Sequence, residues 1–286
     1  MTVMEKMLVP AGMQRIVEQG YDALSGPVYR AEDLFRATPA ERVAAHGLAG
    51  EVFPYGPDPE HVDIVRFGTT PTMDLRVPGV PVTPGERPWP VYDKGFLLNA
   101  VPVWDLTMTR VPVEARFVRV DRDGSEREFS RYGGGAWGWQ RAKGYFPPLH
   151  LIGPRANWRG LDLPCSYTVD HGSVELVWVG DEAVPDGFTP ARPRVHSRVV
   201  PVAECDQVFE VELRGRWRDA PVRILQQAGQ EALLLLLDPT FESVNRLGAV
   251  ALEPSLFQAT APISEVTDVV GLVNEPAPSR GSGGPR

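Results

Sequence analysis

The sequence predicts a mainly β protein, α+β overall, in which an N-terminal α+β domain precedes two tandem small β-barrel repeats. Three observations carry that reading. Short apolar runs with strand-like alternation recur through most of the 286 residues. Gly (28) and Pro (29) are spread between those runs instead of massed in one place, as turns between short strands require. The second half also repeats itself at a spacing of about sixty residues.

The expected organisation is an N-terminal segment over 1–20, an α+β domain over 21–150, repeats over 154–209 and 210–273, and a disordered tail over 274–286. Met13, Ile16 and Val17 share one helix face, and Leu24 extends it past Gly20. Thr38-Pro39-Ala40-Glu41 is a helix start, with Thr as N-cap, Pro in the first position and Glu in the first turn. Val62–Phe67, Leu75–Val77, Val101–Leu106 and Val111–Val120 read as strands. Asp123-Gly124 supplies the positive φ of a hairpin turn before the return strand Glu126–Arg131.

In the second half, Gly187, Pro193, Pro201 and Glu204 recur 61 residues later as Gly248, Pro254, Pro262 and Glu265. Trp158-Arg159 recurs as Trp217-Arg218 at a spacing of 59. Each unit opens at the Trp-Arg turn and runs through strands such as Ser173–Val179, Val222–Leu225 and Leu233–Leu237. A late strand follows (Val195–Val200, Leu256–Thr260), and a P-x-x-E turn closes the unit. Short strands closing on one helical turn have the size of an SH3-like barrel, and two such marginal cores are expected to pack together. Ala232–Leu237 reads as a central strand, with a helix the alternative, and Asp238–Leu247 as a short helix.

Composition narrows the function classes. A net charge of −8 argues against nucleic-acid binding, which needs a basic surface. The two cysteines, Cys165 and Cys205, form no CxxC pair, and the five histidines are scattered. A disulfide scaffold and a metal site are therefore not expected, and the thiols are read as buried in a reducing cytoplasm. Met1–Gly12 lacks a signal peptide's apolar core, and the longest apolar run, Ala232–Leu237, is too short to span a bilayer. The expected location is cytoplasmic, with no membrane contact.

The stretch RYGGGAWGWQ, Arg131–Gln140, is the most conspicuous candidate site. Its spacing is not G-x-G-x-x-G, no helix pattern follows, and no P-loop occurs elsewhere, so no cofactor is expected. The glycines are read as bending the chain so that its tryptophans pack, or so that they form an interface hot spot. The candidate partner-binding residues are Tyr132, Trp137 and Trp139, with Trp89 and Trp104 as weaker ones. No G-x-S-x-G elbow or cysteine–base pairing suggests a nucleophile, and no catalytic residue is expected. Asp121-Arg122-Asp123-Gly124 opens like a calcium loop but lacks the later ligands.

Two resemblances complete the reading. Residues 158–270 resemble a domain of actinobacterial proteins found beside polymorphic toxin loci, some with TNT-type NAD glycohydrolases. The likeness rests on Asp186–Phe188, Val199–Glu204, Gly215–Leu225, Arg246–Gly248 and Ser264–Val269. It implies a non-catalytic immunity or accessory protein that binds a cognate toxin. The order Arg30, then Gly68-Thr69-Thr70, resembles the Arg…Ser-Thr-Ser…Glu order of some ADP-ribosyltransferases, although no Glu-x-Glu convincingly follows a strand. It implies an NAD-using enzyme as the alternative, and a non-catalytic scaffold subunit is a third.

Overall fold

The computed structural model describes residues 2–48, 55–56, 58–78, 92, 94–253 and 255–276. The chain is mainly β and forms two antiparallel sheets. The first is built from β1 (Val3–Leu8), β2 (Ala23–Arg30), β3 (His61–Gly68), β4 (Leu75–Arg76), β5 (Trp104–Arg110), β6 (Arg116–Asp121) and β7 (Glu126–Arg131). Their spatial order is β4-β5-β2-β1-β3-β6-β7. Residues 1–20 are therefore no separate segment, because β1 pairs with both β2 and β3 near the middle of the sheet.

The period-two alternation of β1 explains how the sheet is covered on both faces. Met4 and Leu8 enter one core with Ile16 of α1 (Pro10–Gln19), while Met7 joins a second core with Val43 of α2 (Pro39–Ala45). α2 begins with the expected capping box, in which Thr38 Oγ1 accepts from the Glu41 amide and Glu41 accepts from the Thr38 amide. α1 stops at Gly20, whose left-handed φ of +71 lets amides 20 and 21 satisfy the last carbonyls. That reversal sends Leu24 into β2, so it meets Ile16 across the core instead of prolonging the helix.

The second sheet follows from β8 (Arg155–Trp158), β9 (Leu161–Tyr167), β10 (Ser173–Val179), β11 (Thr189–Arg192), β12 (Val195–Pro201) and β13 (Gln207–Trp217). It continues with β14 (Ala220–Ala228), β15 (Glu231–Leu236), β16 (Val250–Glu253), β17 (Leu256–Pro262) and β18 (Val266–Asn274), with α3 (Phe241–Leu247) before β16. Pairing runs β13-β8-β9-β10-β12-β11 through the earlier strands and β18-β13-β14-β15-β17-β16 through the later ones. The long strand β13 belongs to both runs, since residues 207–209 pair with β8 and residues 213–217 with β14. Each run has a 3-10 turn before its last strand, Val202–Glu204 and Ile263–Glu265. Trp158 and Trp217 are both buried, and each is stacked by the arginine that follows it.

Buried arginines join the sheets. Arg110, on β5, donates to the carbonyls of Ile152 (2.9 Å) and Cys165 (3.2 Å). Arg223, on β14, donates in the opposite direction to the Met108 carbonyl on β5 (2.8 Å) and to Leu151 (3.3 Å). Gly153 makes this approach possible: at φ +83, a Cβ there would lie 2.6 Å from the Arg110 Cβ. Met108, Ile152, Leu225 and Leu235 fill the adjacent apolar space. Each such side chain contributes roughly 1.5–3 kcal/mol on burial.

Two buried titratable groups give the fold opposing pH responses. Burial, aided by the charges of Lys6 and Arg42, pushes His46 down to about 4, although its hydrogen bond to the Arg42 carbonyl resists. Burial pushes Asp22 up to about 6, against the pull of Arg110 and the Tyr132 hydroxyl. As pH falls from about 6.5 to about 4, the unfolded chain protonates His46 before the native state does, so its contribution to stability is lost. Asp22 regains stability as pH falls over much of the same range, because its native pKa is the higher one. His46→Asn, compared with wild type by chemical denaturation at pH 7 and pH 4, is expected to shift the stability difference in favour of the variant by about 3 kcal/mol. A difference that stays constant with pH would overturn the assignment.

Candidate functional site

The aromatic turn is positioned by its glycines at the meeting of the two sheets. The Gly134 carbonyl accepts from the amides of Trp137 (3.1 Å) and Gly138 (2.8 Å), which closes a tight loop. Gly134 has φ +108, and a Cβ would lie 2.7 Å from Glu175 Oε2 on β10, so only glycine fits. The Gly135 amide donates to Ser166 Oγ on β9 (3.0 Å), and the Tyr145 hydroxyl donates to the Gly135 carbonyl (2.7 Å). The glycines thus allow a close backbone approach between sheets.

That geometry divides the expected contact residues. Tyr132 is buried in the first core, where its hydroxyl donates to Asp22 (2.6 Å). Trp139 is buried beside it, edge-on at 5.3 Å, and donates to the Tyr21 carbonyl. Neither offers surface to a partner, since both fill the space between α1 and the first sheet. Trp104 is half-buried against the same core. Trp89 lies outside the described residues. Trp137 alone projects, at 47% exposure, and its indole donates to Glu175 Oε1 (2.7 Å). Burial pushes the Glu175 carboxyl up, while the Trp137 hydrogen bond pulls it down. Arg192 donates to the Trp137 carbonyl and lies 4.0 Å over the Tyr145 ring.

A cleft between the sheets holds a second set of polar groups. It has lobes of about 340 Å³ and about 220 Å³, and Arg76, Thr107, Glu212 and Arg223 line both. Arg76 bridges Asp74 (2.5 Å) and Glu212 (3.2 Å), while Thr107 donates to Asp74 (2.9 Å) and Thr72 to Glu210 (2.8 Å). Burial pushes Glu210 up. Burial also opposes ionisation of Glu212, yet its bond to Arg214 and the charges of Arg223, Arg214 and Arg76 hold it below the usual carboxylate range. These carboxylates are already engaged by cations or hydroxyls, so the cleft is a tie between sheets before it is anything else.

Sequence reasoning missed a third feature. Phe35 and Leu98 are 68% and 73% exposed, and both face a broad groove of about 630 Å³ along α2. Leu34 and Leu97, their neighbours, are buried together in a core with Tyr29 and Tyr92. The signal was present in the paired apolar residues Leu34-Phe35 and Leu97-Leu98, because consecutive residues in a turn cannot both point inward. The Leu98 amide donates to the Ala45 carbonyl (3.0 Å), which holds the second turn against the end of α2.

The residues of the enzymatic alternative share one end of the first sheet. Arg30 and Phe67 both lie opposite Met4, and the Thr69 amide donates to the Thr2 carbonyl. Arg30 is engaged, however, by a bidentate pair with Asp33 at 2.8 Å for both bonds. Among the described residues no group of three or more His, Cys, Asp or Glu could hold a metal ion. Both cysteines are free; Cys165 is buried with its thiol pushed upward by burial, whereas Cys205 is half-buried, not fully buried as expected. No helix among the described residues is long and apolar enough to cross a membrane.

Trp137→Phe removes the donor to Oε1 of buried Glu175, whose Oε2 has no partner, and is expected to cost about 1–3 kcal/mol by chemical denaturation. Trp137→Phe in a Glu175→Gln background should cost measurably less, because no carboxylate is left unpaired. Equal costs in both backgrounds would show that the hydrogen bond contributes nothing. No family model, no curated protein and no solved structure matches this chain.

Proposed function

We propose that this chain is a non-catalytic protein-binding protein, of the immunity type that neutralises a cognate toxin. The observation that carries the reading is the groove beside α2, where two large apolar side chains stand in solvent at 68% and 73% exposure. Isolated exposed apolar residues are ordinary, but two converging on one groove have the form of an interface hot spot. Its rim carries Asp33, paired with Arg30, together with Glu41 and Arg36, which lies 5.3 Å over the Phe35 ring. It is therefore the net charge of −8 that favours a partner with basic residues around an apolar centre. Trp137 offers a second contact in this reading. We further propose that the second sheet consists of two tandem SH3-like units. The identical pairing orders and the matching Trp-Arg and 3-10 turns support it.

A second reading, an NAD-using transferase, is favoured only by the common position of Arg30 and Thr69 at one end of the sheet. Purified protein incubated with NAD separates the two, since cleavage abolished by Arg30→Ala would support the enzyme and remove the binding reading. The leading reading requires a toxin encoded beside this chain, and co-expression with it should restore growth. Phe35→Asp with Leu98→Lys should weaken the complex by about 2 kcal/mol or more, roughly thirtyfold, with an unchanged melting temperature. A toxin that stays active and unbound beside the wild-type chain overturns the proposal.

A further inference from the structure

β18 is an edge strand that lacks the usual protection along most of its length. It pairs with β13 on one side, and no other strand among the described residues pairs with it. Residues 267–274 are all exposed, with Val270 at 57% and Val273 at 56%. Soluble proteins blunt such edges with charge, bulges or proline, because unpaired amides and carbonyls recruit other strands. β18 carries its single ionisable group, Asp268, and a bulge opposite Gly215 near its start, where Asp268 adopts φ +53. Beyond them, Val269-Val270-Gly271-Leu272-Val273-Asn274 has neither device.

We propose that this edge pairs with β18 of a second copy of the chain, antiparallel about a two-fold axis at Gly271. The strand is complementary to itself in that register. Val269 lies opposite Val273, Val270 opposite Leu272, and Asp268 opposite the uncharged Asn274, whose side-chain amide donates to the Thr72 carbonyl of its own chain (2.6 Å). No like charges meet, which matters for two molecules that each carry −8. Gly271 at the axis has no side chain to collide with its own copy. The alternation that puts Val269 and Val273 on one face, and Val270 and Leu272 on the other, places apolar pairs on both faces of the joined sheet. Two-fold pairing uses the same patch twice, so one exposed strand is sufficient. A single strand pair is small beside the roughly 1,200 Å² of a stable specific interface, so the proposed dimer is weak and depends on concentration.

Sedimentation velocity on the full chain, from about 1 to 100 µM, is expected to show a monomer–dimer equilibrium. Val270→Lys with Val273→Lys should remain monomeric throughout while keeping the wild-type melting temperature, since both side chains already face solvent. Val179→Lys, an equally exposed valine on β10, should dimerise as wild type does. Asn274→Asp sets like charges opposite each other at both ends of the pair and should weaken the dimer several-fold, most at low salt, while its lost bond to the Thr72 carbonyl reads separately as a lower melting temperature that does not depend on protein concentration. A wild-type chain monomeric at the highest concentration, or a double variant that dimerises normally, overturns the proposal. A dimer unaffected by Asn274→Asp overturns the register.

Discussion

The two sheets depend on an exchange of buried arginines. Arg110 reaches from the first sheet to carbonyls of the connection and of β9, and Arg223 reaches from the second sheet to the carbonyl of Met108. Taking a guanidinium out of water is expensive unless its protons are accepted. Here backbone oxygens accept from both guanidinium groups, although Arg223 Nε has no partner. The exchange also fixes direction, because a planar fork satisfied by carbonyls tolerates little rotation of one sheet against the other. Apolar burial by Met108, Ile152, Leu225 and Leu235 supplies adhesion, while the arginines supply orientation.

Around this centre the other contacts between sheets fall into place. Lys6 of β1 reaches Glu253 of β16 at 2.6 Å, Thr72 reaches Glu210, and the glycine turn sets Trp137 against Glu175. All are polar and at least partly buried, and each joins residues far apart in the chain. The junction is thus a lattice of hydrogen-bonded groups, within which Glu175 Oε2, Arg214 Nε and Arg223 Nε are left without partners. Its carboxylates are held by partners that a ligand or substrate would have to displace. Among the described residues, large apolar side chains stand in solvent elsewhere, as at Phe35 and Leu98 beside α2 and at Val270 and Val273 of β18.

Local patterns in the sequence announced local structure well. Thr38 and Glu41 formed the capping box because the interaction spans three residues and needs no other part of the chain. Asp123-Gly124 made its hairpin, and Glu231–Leu236 is a strand, as the apolar run there had suggested over the helix alternative. Leu24 was misread because helical spacing survives across Gly20, although the left-handed residue reverses the chain. The aromatic turn divides between the two readings its sequence allows, packing and exposure. Tyr132, Trp137 and Trp139 are alike in composition, yet two fill a core and one projects. Nothing within ten residues distinguishes them, because their exposure is set by α1 and β10, each distant along the chain.

What the sequence by itself determined is therefore the set of strands and turns, the mainly β class and the absence of familiar catalytic spacings. Those features follow from residue periodicity and from backbone preferences of Gly, Pro, Asp and Thr, which act over a few residues. Only the tertiary structure decided which arginines are buried, which aromatics reach solvent and that β18 lies at an edge. Each depends on surfaces brought together from opposite ends of the chain, where burial and hydrogen-bond satisfaction are settled jointly and not residue by residue.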